Sequence, residues 1–256
     1  MILSRVIEHV KQQHWTAVFL DFVIVVTGVF IGIQVSNWNA ARADKRLGAE
    51  YATRLSVDLR TDLTSTNRQL TYYEEVLRAV HRTDELLKDP NADPEPVVTS
   101  AYRATEIMFT APSHATWDQI VSSGHLALLP KNAAGPLAFY YSFDVAGDLY
   151  QFLAGSAFRR KVRQIIPIEI QAAMRAGCSD ELDEGGNAIG FMKECRLEAD
   201  AALVRSTAEA LRRDPAVGRT LNYQYSDVSR AVDNLRANLP VLKRAIAVLG
   251  GTDGGN

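Results

Sequence analysis

Residues 16–35 read TAVFLDFVIVVTGVFIGIQV, an apolar stretch interrupted by one acidic residue, Asp21. A helix rises about 1.5 Å per residue, so roughly 20 residues cover about 30 Å, the thickness of the hydrocarbon core of a bilayer. Trp15 and Trp38 flank the stretch, and tryptophan favours the two membrane–water interfaces. The sequence therefore predicts a single transmembrane helix over residues 15–38, with membrane lipid around it.

Two other interpretations of this stretch are a buried helix of a soluble protein and a cleaved secretory signal peptide. Ala41-Arg42-Ala43 resembles a small-x-small cleavage site. However, the apolar region is longer than the usual h-region of about 7–15 residues, and all-round apolar stretches of about 18 residues are uncommon in soluble proteins. We therefore favour the membrane anchor.

Two features inside the predicted span indicate a specific role. Gly28 and Gly32 form a GxxxG pattern, which allows two helix backbones to approach closely and predicts a homodimer through this helix, although glycine is frequent in membrane helices generally. Asp21 is an intramembrane acid, which is by default a functional residue. We expect it to be satisfied by water at the headgroup level or by a polar side chain of a partner helix.

The two cysteines of the chain, Cys178 and Cys195, bracket a polar, glycine-containing stretch. A disulfide closing a loop of roughly 15 residues contributes about 3 kcal/mol in the chain-entropy model and persists in an oxidising compartment. The alternatives are two unpaired buried thiols, or a zinc site, for which no histidine or further cysteine lies close in sequence. The pattern favours a disulfide.

The predicted orientation rests on two signals that disagree. The C-terminal side carries more basic residues (Arg42, Lys45, Arg46 and Arg54) than the N-terminal side (Arg5 and Lys11), which by the positive-inside rule favours a cytoplasmic C-terminal domain. The cysteine pair favours an oxidising compartment. Because long domains translocate largely regardless of charge, we predict a C-terminal domain in the periplasm.

The rest of the chain predicts an all-α fold. A long helix follows the span as a stalk, with Leu63, Thr66, Leu70, Tyr73, Leu77, Val80, Asp84 and Leu87 on one seam. The last helix carries Leu221, Tyr225, Val228, Val232, Leu235, Leu239, Leu242, Ile246 and Leu249 at steps of four and three. Two such seams predict an antiparallel helical bundle. The predicted parts are an amphipathic segment (1–14), the transmembrane helix (15–38), the bundle (39–249) and a flexible tail (250–256).

Composition and motifs exclude several functions. A formal net charge of −2 gives no general attraction to nucleic acid, so we expect no nucleic-acid partner. No motif of a hydrolase, a P-loop enzyme or a metalloprotease occurs, so we expect no catalytic residue and no cofactor. His114, Asp118 and His125 are the closest approach to a hydrolase or metal site, and ordinary surface hydrogen bonding is the alternative for them.

The sequence contains a basic run and, further along, an acidic run. Arg159, Arg160, Lys161 and Arg163 could meet anionic lipid or an acidic ligand, or form a solvated helix face. They could also pair with the acidic residues that follow, namely Asp180, Glu181, Asp183 and Glu184.

Three segments resemble a family of uncharacterised bacterial proteins with one N-terminal spanning helix and a domain of unknown function. They are RVIEHVKQQHWTAVFLDFVIVVTGVFIGIQVSNWN (5–39), TWDQIVSSGHLALLP (116–130) and FYYSF (139–143). The resemblance is strong over 5–39, moderate over 116–143 and weak elsewhere. It implies a bacterial inner-membrane protein and brings no activity, cofactor or catalytic residue.

These observations together predict a membrane-anchored, non-enzymatic binding or scaffold protein of the bacterial envelope, with another envelope protein as its partner. A small-molecule sensor is the alternative, and a large apolar cavity with a few inward polar groups would favour it.

Overall fold

The computed structural model describes residues 15–250, and most of these residues are helical. The predicted segment 1–14, and all of the predicted tail except Gly250, lie outside the described residues. Gly250 is the last residue of the final helix. The helices are α1 (Trp15–Lys88), α2 (Pro94–Arg103), α3 (Ala115–Ser122), a 3-10 helix (His125–Leu128), α4 (Ala134–Tyr141), α5 (Val145–Ala154), α6 (Ala157–Ile165), α7 (Ile168–Gly177), α8 (Ala201–Arg213) and α9 (Pro215–Gly250).

The chain divides into two units, the first ending at Tyr51 and the second beginning at Ala52. In the first unit, helix α1 exposes its apolar side chains on all sides, and Phe19 and Phe30 are 65% and 60% exposed. Among the described residues, α1 is the one helix that is long and apolar enough to cross a membrane. The prediction of a long apolar N-terminal helix is confirmed at this level.

The second unit has a hydrophobic core to which most of its helices contribute. Helix α9 packs against α4, α5 and α6, and α8 packs against α2 and α6. The largest fully buried side chains of this unit are Tyr72, Tyr73, Phe158, Leu55, Leu59, Ile120, Leu137, Leu153, Ile166, Ile170, Met174 and Leu211. Burying side chains of this size is the main favourable contribution to folding.

The polar stretch between the cysteines forms a hairpin, which the all-α prediction missed. Strands β1 (Asp180–Leu182) and β2 (Ala188–Phe191) pair antiparallel. The Asp183 carboxylate accepts hydrogen bonds from the backbone N–H groups of Gly185 and Asn187, both at 2.9 Å, and so closes the turn. Two short strands joined by such a turn leave little periodic signal in a sequence.

The buried seams differ from the predicted ones by single positions. On α1 the buried residues include the polar side chains of Asp62 and Gln69 where Leu63 and Leu70 were predicted, and both leucines are only partly buried. On α9, Gln224 is buried and Tyr225 is 46% exposed, so the predicted seam is wrong there. Polar residues thus occupy inward positions that the hydrophobic pattern assigned to their neighbours.

Candidate functional site

Asp62 is a carboxylate in the interior of the second unit. Its side chain projects from α1 and is only 3% exposed. One carboxylate oxygen accepts a hydrogen bond from the backbone N–H of Ser113 at 2.9 Å, and the other accepts one from the Tyr140 hydroxyl at 3.0 Å. Within residues 15–250 no Lys, Arg or His side chain forms an ion pair with it. Buried charges are usually paired with an opposite charge or a metal, so this carboxylate is unusual.

An aromatic cluster lies next to Asp62 and is centred on Tyr141, the neighbour in sequence of its partner Tyr140. The Tyr141 ring stacks on Trp117 with centroids 5.0 Å apart, and the His114 and Tyr140 rings meet it edge-on at 5.2 and 4.9 Å. These contacts bring α3 and α4 together, the two helices in which the segments TWDQIVSSG and FYYSF begin. Aromatic pairs at such distances stabilise beyond their buried area, so the cluster holds Tyr140 in place over Asp62.

The charge of Asp62 affects the pKa values of Tyr140 and Tyr141. Burial raises the pKa of the Tyr140 hydroxyl well above its ordinary value, and the negative charge of Asp62 raises it further. Burial and then the charges of Asp62, Asp58 and Asp118 raise the pKa of Tyr141 in the same way. The Tyr141 hydroxyl is buried and has no hydrogen-bond partner within residues 15–250. Both hydroxyls therefore stay protonated at neutral pH and act only as neutral groups.

A small cavity of about 30 Å³ lies beside Asp62. Its walls are partly polar and partly apolar. Asp62, Thr66 and Gln69 from α1 and Asn238 from α9 supply polar side chains, and Phe143, Val145 and Leu235 supply apolar ones. A space of this size holds about one water molecule or one ammonium group. Its lining residues contain no lysine, arginine or histidine, and Asp62 is the acidic residue among them.

A larger open groove of about 540 Å³ adjoins the cavity. Phe143, Val145 and Asn238 belong to the walls of both, so the two spaces are direct neighbours. The remaining walls of the groove come from α5 and α9. They are Asp148, Leu149, Phe152, Asp227, Arg230, Ala231, Asn234, Ala237 and Val241. The volume lies within the range of about 300–1,000 Å³ that is typical of ligand pockets.

Charges at the groove are mostly negative. The Arg230 guanidinium lies over the Phe152 ring at 4.6 Å and reaches the Asp227 carboxylate at 3.4 Å. Burial raises the pKa of Asp227, while Arg230 lowers it. Asp148 lines the same groove on the α5 side and is exposed to solvent. The groove thus carries two carboxylates and one guanidinium among its apolar walls.

His114, Asp118 and His125 do not form a metal site. His114 is the N-cap residue of α3, Asp118 lies in the first turn of that helix, and His125 begins the 3-10 helix after the Gly124 turn. The ring of His114 packs edge-on against the ring of Tyr141. No group of three or more His, Cys, Asp or Glu side chains in residues 15–250 could hold a metal ion.

The basic residues 159–163 on α6 bind other residues of the second unit. The Arg163 guanidinium binds the Glu106 carboxylate at 2.8 Å and the Thr105 hydroxyl at 2.9 Å, and it lies 3.5 Å from the centre of the Tyr102 ring. Arg159 donates to the Thr105 carbonyl and Arg160 to the Gly155 carbonyl. Lys161 pairs with Asp214 at 3.3 Å. The idea that this run pairs with the acidic run is wrong, because its partners lie elsewhere.

The acidic run instead attaches the hairpin to α1. The Tyr72 hydroxyl donates to Asp180 at 3.1 Å, and Arg68 pairs with Asp183 at 2.6 Å. Burial raises the pKa of Asp180, whereas the backbone N–H of Asn187 lowers that of Asp183. At the base of the hairpin a disulfide joins Cys178 and Cys195, whose Cα atoms are 4.4 Å apart. The hairpin is therefore held at its turn, in its strands and at its base.

The residues singled out in the predicted span all belong to α1. A Cβ atom at Gly28 or Gly32 would meet nothing within 4 Å, so the surface at both positions is open. Asp21 is exposed. Trp38 is 63% exposed, and the Arg42 guanidinium lies 5.7 Å from its ring centre. Trp15 is the first residue of α1 that the structure describes, and its side chain lies outside the described part.

Comparison of the chain with protein-family models, with curated proteins and with solved structures finds no match in any of the three. The resemblance at residues 5–39 and 116–143 therefore stays a prediction. Function has to be argued from the geometry.

Sequence reasoning missed Asp62, Asp148, Asp227 and Asn238. A signal for Asp62 was present, because Leu55, Leu59, Asp62, Thr66 and Gln69 follow one another at steps of four, three, four and three, as on a single helix face. This series was not recognised as a buried face because Asp62, Thr66 and Gln69 are polar. No comparable signal links Asp148, which lies on another helix, to Asp227.

Proposed function

We propose that the protein is a single-pass membrane protein whose second unit is a non-enzymatic binding domain on the periplasmic side of a bacterial inner membrane. The observation that carries this proposal is the apolar surface of α1 over residues 19–35, which is exposed on every side of the helix. Such a surface is stable in hydrocarbon and unfavourable in water.

The periplasmic location is supported by the Cys178–Cys195 disulfide, because such bonds persist in oxidising compartments. The resemblance over residues 5–39 also supports a bacterial inner membrane. Fusion of an alkaline phosphatase reporter and of a cytoplasm-active fluorescent reporter to the C-terminus tests the orientation. We expect activity from the phosphatase alone, and activity from the cytoplasmic reporter alone would refute the proposed location.

We further propose that the second unit is an antiparallel helical bundle built on α1 and α9. Glu74 pairs with Arg236 at 2.7 Å, and the His81 ring meets the Tyr225 ring at 5.2 Å. Residue numbers therefore rise along α1 while they fall along α9. The bundle gives a scaffold on which a partner or ligand site is held.

The open face at Gly28 and Gly32 supports self-association through the span. Replacement of both glycines by isoleucine should weaken dimerisation in a two-hybrid assay performed in the membrane, because the larger side chains keep the backbones apart. Phe30→Ile is the matched control, since residue 30 lies on the other side of the helix. Unchanged association of the double variant would show that the GxxxG pattern is incidental.

A second candidate function is that of a small-molecule sensor. The groove of about 540 Å³ between α5 and α9 favours it, because the groove combines apolar walls with a few convergent polar groups. Binding of a ligand there would change the packing of α9 against its neighbours. A partner protein or a second copy of the span would then receive the signal.

A further inference from the structure

We infer that the Asp62 cavity and the adjoining groove form one site for a small organic cation, with its ammonium group beside Asp62 and its apolar body between α5 and α9. This inference rests on the proposed function as a binding domain and specifies the chemical class of its ligand.

The charge of the site selects a cation. Three carboxylates line the two cavities, from Asp62, Asp148 and Asp227, against one guanidinium, from Arg230. That guanidinium already pairs with Asp227 and stacks on Phe152. An anionic ligand would meet net repulsion along the whole path, whereas an ammonium group would supply the counter-charge that the described chain does not provide for Asp62.

Asp62 can accept a ligand without losing its present partners. Each of its oxygens accepts one hydrogen bond, from Ser113 or from Tyr140. A carboxylate oxygen has two acceptor positions, so each retains one. Thr66, Gln69 and Asn238 surround the same cavity with further polar atoms, and a protonated amine has up to three N–H donors to share among them.

The shape of the site requires an apolar body behind the charge. The inner cavity of about 30 Å³ takes only a group of about the size of one water molecule. The groove beyond it is lined by Phe143, Val145, Leu149, Phe152 and Val241. The faces of aromatic rings attract cations, and Phe143 stands where the two spaces meet. A cation without an apolar part would leave these walls exposed to water.

Titration calorimetry of the full-length protein in nanodiscs of zwitterionic lipid tests the inference, with empty nanodiscs as the blank. The probe is 2-phenylethylammonium, and its neutral counterpart is 2-phenylethanol, which has the same apolar body. We expect the ammonium compound to bind at least about tenfold more tightly, because it alone brings a charged donor to the Asp62 carboxylate, and charge-assisted hydrogen bonds are stronger than neutral ones. Equal affinity for the two compounds, or no binding of the ammonium compound, would overturn the inference.

Asp62→Asn should remove the preference for the charged probe. Asp233→Asn is the matched control, since it removes the same charge from an exposed position of α9 outside the groove. Asn238→Phe blocks the wall shared by the two spaces and should abolish binding of both probes, which keeps the inference testable if Asp62→Asn does not fold. A preference that survives Asp62→Asn would refute the assignment. These outcomes are distinct from a failure of the proposed anchor, which the reporter fusions measure.

Discussion

Asp62 and Glu106 are both carboxylates drawn into the second unit, and they are satisfied in different ways. Glu106 binds the Arg163 guanidinium, which also stacks on Tyr102 and binds Thr105. Asp62 is more deeply buried, yet it receives only two neutral donors. Glu106 thus has a counter-charge from the chain itself, whereas Asp62 has neutral donors and a cavity beside it. This difference supports the inference that a ligand supplies the counter-charge of Asp62.

The largest expected effect follows from breaking the completed site. Arg163→Met should destabilise the second unit by about 4 kcal/mol, because it leaves Glu106 without its counter-charge and removes the contact with Tyr102. Urea unfolding of the full-length protein in detergent micelles, followed by circular dichroism, measures the change. Arg160→Met is the control, since Arg160 is exposed and its guanidinium donates to a neutral acceptor, the Gly155 carbonyl. Equal effects of the two variants would contradict the assigned role of Arg163.

The hairpin is the second completed region, and its disulfide can be removed. The double variant Cys178→Ser and Cys195→Ser should lose about 3 kcal/mol, because the bond joins residues 17 apart and restricts the unfolded chain. The same unfolding measurement applies. A reducing agent should lower the stability of the natural protein and leave the double variant unchanged. A natural protein that is insensitive to reduction would argue against a structural role for the bond.

Asp62→Asn should change the free energy of unfolding by less than about 1 kcal/mol, in contrast to Arg163→Met. The asparagine oxygen can accept from Ser113 while its amide donates to the Tyr140 hydroxyl oxygen. Two hydrogen bonds therefore remain, the second in the reverse direction, and a buried charge is lost. Stability is measured without any added cation. A loss as large as that of Arg163→Met would mean that the Asp62 carboxylate is a structural group, and the contrast would disappear.

The smallest effects concern two partly exposed acids, Asp214 and Asp227, whose pKa values are shifted in opposite directions. The backbone N–H of Ala216, with Lys161, lowers the pKa of Asp214 below its ordinary value of 3.8, so its stabilisation is present above that value and is lost as the pH falls. Burial raises the pKa of Asp227, so stability falls as the pH rises through its folded value.

Thermal unfolding between about pH 5 and about pH 3 distinguishes these two acids. Asp214→Asn should flatten the loss of stability on acidification, and Asp227→Asn should steepen it. Identical acid profiles for the two variants would contradict the opposite signs.

Sequence reasoning found the elements better than it found their inward faces. The long apolar helix was predicted because nearly all residues of the stretch 16–35 are apolar, and the apolar character of a continuous stretch is a local property. The seams of α1 and α9 were displaced where Asp62 and Gln224 point inward, since a hydrophobic pattern assigns polar residues to the outside. The hairpin was missed because its strands contain three and four residues. The groove could not be predicted, as its walls come from helices that are distant in the chain.

The sequence by itself determined that an apolar helix occupies the N-terminal part of the chain, because the length and polarity of a single stretch decide that outcome. It also determined which residue types were available for a site. Only the tertiary structure decided that a carboxylate from α1 would meet the Tyr140 hydroxyl and the Ser113 backbone beside a cavity. Burial and hydrogen bonding are properties of neighbours in space, and residues 62, 113, 140 and 238 become neighbours only when the chain has folded.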